Sequence, residues 1–198
     1  MLKVEYKEKA RYIRKEILEM MHRANSSHIG SCFSIVELLV ALYFNILKIS
    51  PETCADETRD RFILSKGHAC AALYAVLALR GFFDKKTLRA YCVNDGILPG
   101  HATRGCVPGV EISSGSLGHG LSIGIGMALS SILNQKKYRV FILLGDGECD
   151  EGSVWEAAMF AGNRNLDNMV AIIDYNKIQS FGVVKDVNDL EPFSAKWE

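Results

Sequence analysis

Apolar residues recur every three or four positions between Lys7 and His22, at Ala10, Ile13, Ile17, Leu18 and Met21. That period places them on one face of a helix whose other face is charged. A polar break follows, Asn25-Ser26-Ser27-His28-Ile29-Gly30-Ser31. Ser34 then predicts the start of an apolar helix running to Leu47, with Glu37 three residues on to complete a capping box. Pro51 to Asp60 reads as a charged loop, and Phe62-Ile63-Leu64-Ser65 as a short buried strand. After Lys66-Gly67-His68 another apolar helix is expected, ending near Leu79. From Val93 to Gly120 the chain is crowded with Gly, Pro, Ser and His, which rules out a regular element. Loops of that length in a compact domain usually carry function. A helix is expected from Gly120 to Leu133, its glycines at 120 and 124 allowing a neighbouring element to approach closely.

The clearest unit comes last. Arg139 to Leu144 is an uninterrupted apolar run, as in a strand covered on both faces, and it stops at Gly145-Asp146-Gly147. Ser153 with Glu156 predicts a capping box for a helix from Val154 to about Arg164. Met169 to Ile173 reads as a second buried strand, ending at Asp174-Tyr175-Asn176. Strand, helix and strand in this order predict two parallel, adjacent strands. The fold class expected is α/β, a parallel sheet flanked by helices. No repeat, low-complexity tract or linker divides the chain, so residues 1–198 read as one domain.

Composition narrows the function without choosing it. Lys plus Arg and Asp plus Glu both number 23, so there is no basic excess to attract nucleic acid or an anionic membrane. The apolar runs are too short to cross a bilayer, and Met1-Leu2-Lys3-Val4-Glu5-Tyr6-Lys7-Glu8 lacks a secretory apolar stretch. A cytoplasmic location is the expectation. The six cysteines are scattered with no Cys-x-x-Cys pair, which argues against a zinc ribbon or a dithiol redox site.

Ligands of open parallel sheets bind beyond the carboxyl ends of the strands. Here those ends carry Asp146 and Asn176, a carboxylate and an amide. A hard divalent cation takes oxygen ligands of this kind and fills its remaining positions from water or phosphate. The flanking glycines would let the backbone bend and a bulky anion come close. Taken alone, Gly-Asp-Gly reads equally as a tight turn.

The motif from Gly145-Asp146-Gly147-Glu148 to Asp174-Tyr175-Asn176 resembles the one by which thiamine-diphosphate enzymes hold the cofactor's diphosphate through a metal. Glu151-Gly152-Ser153-Val154-Trp155-Glu156 and Leu166-Asp167-Asn168 resemble transketolases in particular. So do Ser27-His28-Ile29-Gly30, Ser65-Lys66-Gly67-His68, Leu98-Pro99-Gly100-His101 and Ser114-Gly115-Ser116-Leu117-Gly118, in that order along nearly the whole chain. The resemblance implies Mg²⁺ or another divalent cation on Asp146, the Asn176 side chain and the backbone carbonyl of Ile178. It implies diphosphate contacts from Gly147, Asn176 and His68, and cofactor-lining roles for Gly115, Ser116 and Leu117. His28, His68 and His101 would face the reacting carbon and the substrate hydroxyls as catalytic residues. Clustered imidazoles suit proton traffic near neutral pH.

The implied activity is transfer of a two-carbon ketol unit between sugar phosphates. The family's pyrimidine-binding domain, with the glutamate that activates the cofactor, lies outside this sequence, and so does the end of the cofactor-binding domain. A split enzyme or a truncated chain would account for that, and association with a pyrimidine-binding subunit in a homo- or hetero-oligomer is expected. Two departures stand out: His119 where the family often has Gln, and Lys177 where it often has Gly. Alternatives are a non-catalytic regulatory relative, a 2-oxo acid dehydrogenase or synthase component, and a zinc hydrolase built on the histidines. The last lacks any closely spaced histidine pair.

Overall fold

In the computed structural model, which describes residues 2–198, the sheet is organised by the alternation of side chains along two short strands. These are β1 (Arg61–Leu64) and β2 (Val140–Gly145). Phe62 and Leu64 of β1, with Phe141 and Leu143 of β2, enter one apolar cluster. Ile63, Val140, Ile142 and Leu144 enter another on the opposite side. Successive strand side chains point to opposite faces, so a continuous apolar run needs a helical layer on each.

The first layer is built by α1 (Leu2–Ala24), the short α2 (Ile29–Ser34) and α3 (Val36–Ala41), and α4 (Cys70–Arg80). The second is built by α5 (Gly120–Leu133) and α6 (Gly152–Asn163). β3 (Met169–Asp174) completes a parallel sheet of order β1-β2-β3, and Gly145 stands level with Asp174. Beyond it lie a small hairpin, β4 (Ile178–Gln179) with β5 (Gly182–Val183), and the short helices α7 (Val184–Val187) and α8 (Phe193–Trp197). The expected α/β class, the βαβ unit and the irregular stretch before Gly120 are all present.

Several local expectations are corrected. Leu18 is 48% exposed, and the first helix buries Met20 instead. Ser34 does not cap a helix to Leu47: it ends α2, α3 follows, and a π-helical turn spans Leu42–Ile46. Its hydroxyl donates to the Ser31 carbonyl and to Asp174, and that distant contact outweighs local capping. α6 likewise starts at Gly152 after Glu151, because the Ser153 hydroxyl donates to the Gly118 carbonyl. β3 is only half buried, with Val170 42% exposed, since among the described residues it is an edge strand.

The glycine expectation for α5 holds sterically. A Cβ on Gly124 would lie 2.6 Å from the Ile142 side chain, whereas one on Gly126 would meet nothing within 4 Å. Gly126→Ala is therefore expected to stabilise the fold by about 0.5–1 kcal/mol. Overpacking against β2 costs about 1–3 kcal/mol, which exceeds that propensity gain, so Gly124→Ala is expected to destabilise. Chemical denaturation of the pair checks both signs.

Candidate functional site

All three strands deliver their carboxyl ends to one edge of the sheet, and the chemistry-bearing residues follow those ends. Asp146 comes directly after β2 and is 3% exposed. Its Oδ1 accepts the Gly147 N–H at 2.8 Å and its Oδ2 the Lys177 N–H at 2.7 Å. Lys177 reaches this position with φ of 68°, a left-handed backbone that suits glycine and explains why glycine would also serve there. Gly145 and Gly147 have no such φ. The reason for Gly147 is close approach, since a Cβ there would meet the Gln179 side chain at 2.8 Å.

Burial pushes the Asp146 carboxyl above its usual range, against the opposing pull of the two backbone N–H groups. No ion pair involving it forms among the described residues. Asn176 lies just past β3; its Oδ1 accepts the Ile178 N–H at 2.9 Å and its Nδ2 donates to Asp174 at 3.2 Å. No cluster of three or more His, Cys, Asp or Glu suited to a metal occurs among the described residues. A buried, uncompensated carboxylate beside an amide oxygen nevertheless fits a hard divalent cation whose other ligands come from carbonyls, water or a phosphate.

The histidines converge. The His28 ring lies 5.1 Å from that of His68 and 6.1 Å from that of His101, centroid to centroid. His28 adopts φ of 76°, unusual for a residue with a side chain and typical of functional sites. Burial first, then the Lys66 ammonium and the two neighbouring imidazoles, pushes His68 down to about 4. Burial and His101 lower His28 as well. His68 is thus neutral in the folded protein at pH 7. Its folded value lies below the ordinary 6.5, so it binds fewer protons than the unfolded chain between those values. Stability is expected to be full above about pH 6.5 and to fall as pH drops towards 4, with His68→Gln flattening the slope. Unfolding of the cofactor-free protein across that window measures this.

The irregular stretch is pinned to the strand ends. Ala102 N–H donates to the Gly67 carbonyl and Ser114 N–H to the Ala102 carbonyl. Gly115 has φ of 154°, and a Cβ there would sit 3.0 Å from the His101 ring. Beside it a cleft of about 380 Å³ is lined by Ser113, Ser114, Gly115, Ser116, His119 and Ile123. Leu117 does not line it; its carbonyl accepts the His119 Nδ1–H at 2.9 Å. His22 is exposed on α1.

Four further polar groups, three of them inside the quoted motifs but without an expected role, hold these segments together. Buried Glu148 accepts from the Ser65 hydroxyl, Gly118 N–H and Gly145 N–H, tying three segments together. Buried Lys66 pairs with Asp174 at 2.7 Å, and Ser34 joins them. For Glu148, Lys66 and Asp174 the sequence signal is charge beside an apolar strand end; Ser34, uncharged and at the end of α2, carries none.

The family described as transketolase, thiamine diphosphate binding domain, matches residues 6–198. The chain belongs to the transketolase family. Its cofactor is thiamine diphosphate. The 6-deoxy-6-sulfo-D-fructose transketolase subunit SqwG of Clostridium sp. (strain MSTE9) is 42% identical over 194 residues, covering 98% of this chain and 70% of that protein. An apulose-4-phosphate transketolase subunit from Phocaeicola vulgatus is 42% identical over 184 residues, 93% of this chain and 65% of that one. The transketolase structure from Leishmania mexicana superposes with a TM-score of 0.90 at 26% identity, over 96% of this chain and 30% of that one. The chain thus spans about two thirds of the two transketolase subunits and under a third of the long transketolase chain.

Proposed function

We propose that residues 1–198 act as one domain, the diphosphate-binding part of a transketolase that moves a two-carbon ketol unit from a ketose phosphate to an aldose phosphate. The observation that carries this reading is the convergence of His28, His68 and His101 at the strand edge that also presents Asp146 and Asn176. Asp146, the Asn176 amide oxygen and the Ile178 carbonyl hold Mg²⁺, and Gly147, Asn176 and His68 contact the diphosphate. Gly115, Ser116 and Leu117 line the cofactor. Thiamine diphosphate supplies the carbanion chemistry. The three imidazoles hold and move protons at the substrate's oxygens, and low-pKa His68 serves as a neutral hydrogen-bonding group.

A pyrimidine-binding subunit completes the enzyme. Exposed apolar side chains in the motif-bearing segments support such a partner: Ile97, Ile178 and Phe181, the last 87% exposed. Two relatives are named as subunits, one for a sulfo-sugar and one for apulose 4-phosphate, which favours a small phosphorylated or sulfonated sugar here. No helix among the described residues is long and apolar enough to span a membrane, in keeping with the proposed cytoplasmic location. The test combines this chain with a pyrimidine-binding chain and assays ketol transfer against 2-oxo acid decarboxylation. Transfer supports the reading. Decarboxylation alone, or cofactor binding without turnover, overturns it.

A further inference from the structure

We propose that Asp174 is a positioning residue that fixes the orientation of the Asn176 amide, with Lys66 and Ser34 locking Asp174 in place. The inference rests on the reading that Asp146 and Asn176 hold a divalent cation.

A single carboxylate oxygen, Asp174 Oδ2, gathers three donors: Lys66 Nζ at 2.7 Å, Ser34 Oγ at 2.5 Å and Asn176 Nδ2 at 3.2 Å. They come from three separate segments: the end of α2, the residues after β1, and the residues after β3. An amide can turn over and present either its oxygen or its NH₂ group to the same spot, and a carboxylate can only accept. The Asp174 contact therefore commits Nδ2 to one side and sends Oδ1 to the other, where it accepts the Ile178 N–H and keeps a second lone pair. Only that orientation offers a cation an oxygen; the reversed amide would offer it two N–H dipoles.

Besides lowering His68 through its charge, Lys66 has one direct polar contact. It is 2% exposed, and its ammonium makes one hydrogen bond among the described residues, to Asp174. A lysine so enclosed cannot touch substrate, and it holds the carboxylate against rotation. Ser34 lies six residues after His28, so the same carboxylate ties the imidazole segment to the diphosphate end of the site.

The test uses the chain combined with its pyrimidine-binding partner and reads Mn²⁺ affinity in the presence of thiamine diphosphate by electron paramagnetic resonance, alongside unfolding temperature. Asp174→Leu with Lys66→Met replaces the buried pair with apolar side chains, an exchange that is commonly neutral for stability. Outer-shell partners of metal ligands contribute about 10- to 100-fold in affinity. The expected result is that loss in Mn²⁺ affinity with an unchanged unfolding temperature. Asp174→Asn with Lys66→Met keeps an acceptor for Asn176 Nδ2 but can also turn its own NH₂ towards it, so it is expected to restore part of the affinity lost in the apolar pair. Where the apolar pair does not fold, Asp174→Ser with Lys66→Met takes its place, its side chain being too short to reach. Wild-type affinity in the apolar or serine variant overturns the inference. Equal weakness of the asparagine variant also overturns it, since charge rather than amide orientation would then be responsible. Asp146→Ala serves as the separate control: undiminished Mn²⁺ binding there overturns the cation site itself.

Discussion

Asp146→Ala is expected to weaken the joint binding of Mg²⁺ and thiamine diphosphate by about 100-fold or more, because losing a direct ligand costs at least as much as losing an outer-shell partner. It is the buried carboxylate at the end of β2, and it forms no direct ion pair among the described residues. In the cofactor-free protein the same substitution should change little. Burial holds the Asp146 carboxyl above its usual range, so its contribution to stability is present at low pH and lost as pH rises through the folded value. At neutral pH its charge opposes folding, and removing that charge offsets the two backbone hydrogen bonds lost. Ligand at about 100 times its dissociation constant stabilises a fold by about 2.7 kcal/mol. Thermal unfolding with and without cofactor should show that increment in the wild type and its disappearance in the variant, at nearly equal starting temperatures.

His28→Asn should separate chemistry from binding. Asparagine tolerates a left-handed backbone, so φ of 76° can persist and the fold should be kept. A positioned proton donor or acceptor contributes about 100- to 10,000-fold to rate. Ketol transfer by the assembled enzyme is expected to fall within that range while cofactor affinity stays within a few-fold. His101→Ala, whose ring lies across from His28, should behave alike. An unchanged turnover number in either variant would remove that imidazole from the chemistry.

Much of this was legible in the chain because the strongest signals are local. A run such as Arg139 to Leu144 needs cover on both faces, and it has it. Gly120 to Leu133 forms the helix expected there. The parallel pairing that sets Gly145 beside Asp174 follows from strand, helix and strand in sequence. Reading failed where a short polar side chain had two possible partners. Ser34 and Ser153 both looked like helix caps, yet each reaches a group far along the chain, Asp174 and Gly118. Periodicity could not weigh a hydrogen bond between residues 140 positions apart. The π-helical turn after Ala41 and the half-open face of β3 likewise depend on what packs nearby rather than on the segment itself. Lys66 and Glu148 stand in the motifs without an expected role, because their partners, Asp174 for one and Ser65 and Gly118 for the other, lie far along the chain.

The proposed cation on Asp146 and Asn176 grips the cofactor's diphosphate. Pulsed electron–nuclear spectroscopy of the assembled enzyme loaded with Mn²⁺ and thiamine diphosphate reports whether phosphorus nuclei lie against the metal. Strong phosphorus coupling is expected in the wild type, and its loss in Asp146→Ala. Mn²⁺ bound without phosphorus coupling, or the same coupling after Asp146 is replaced, would contradict it.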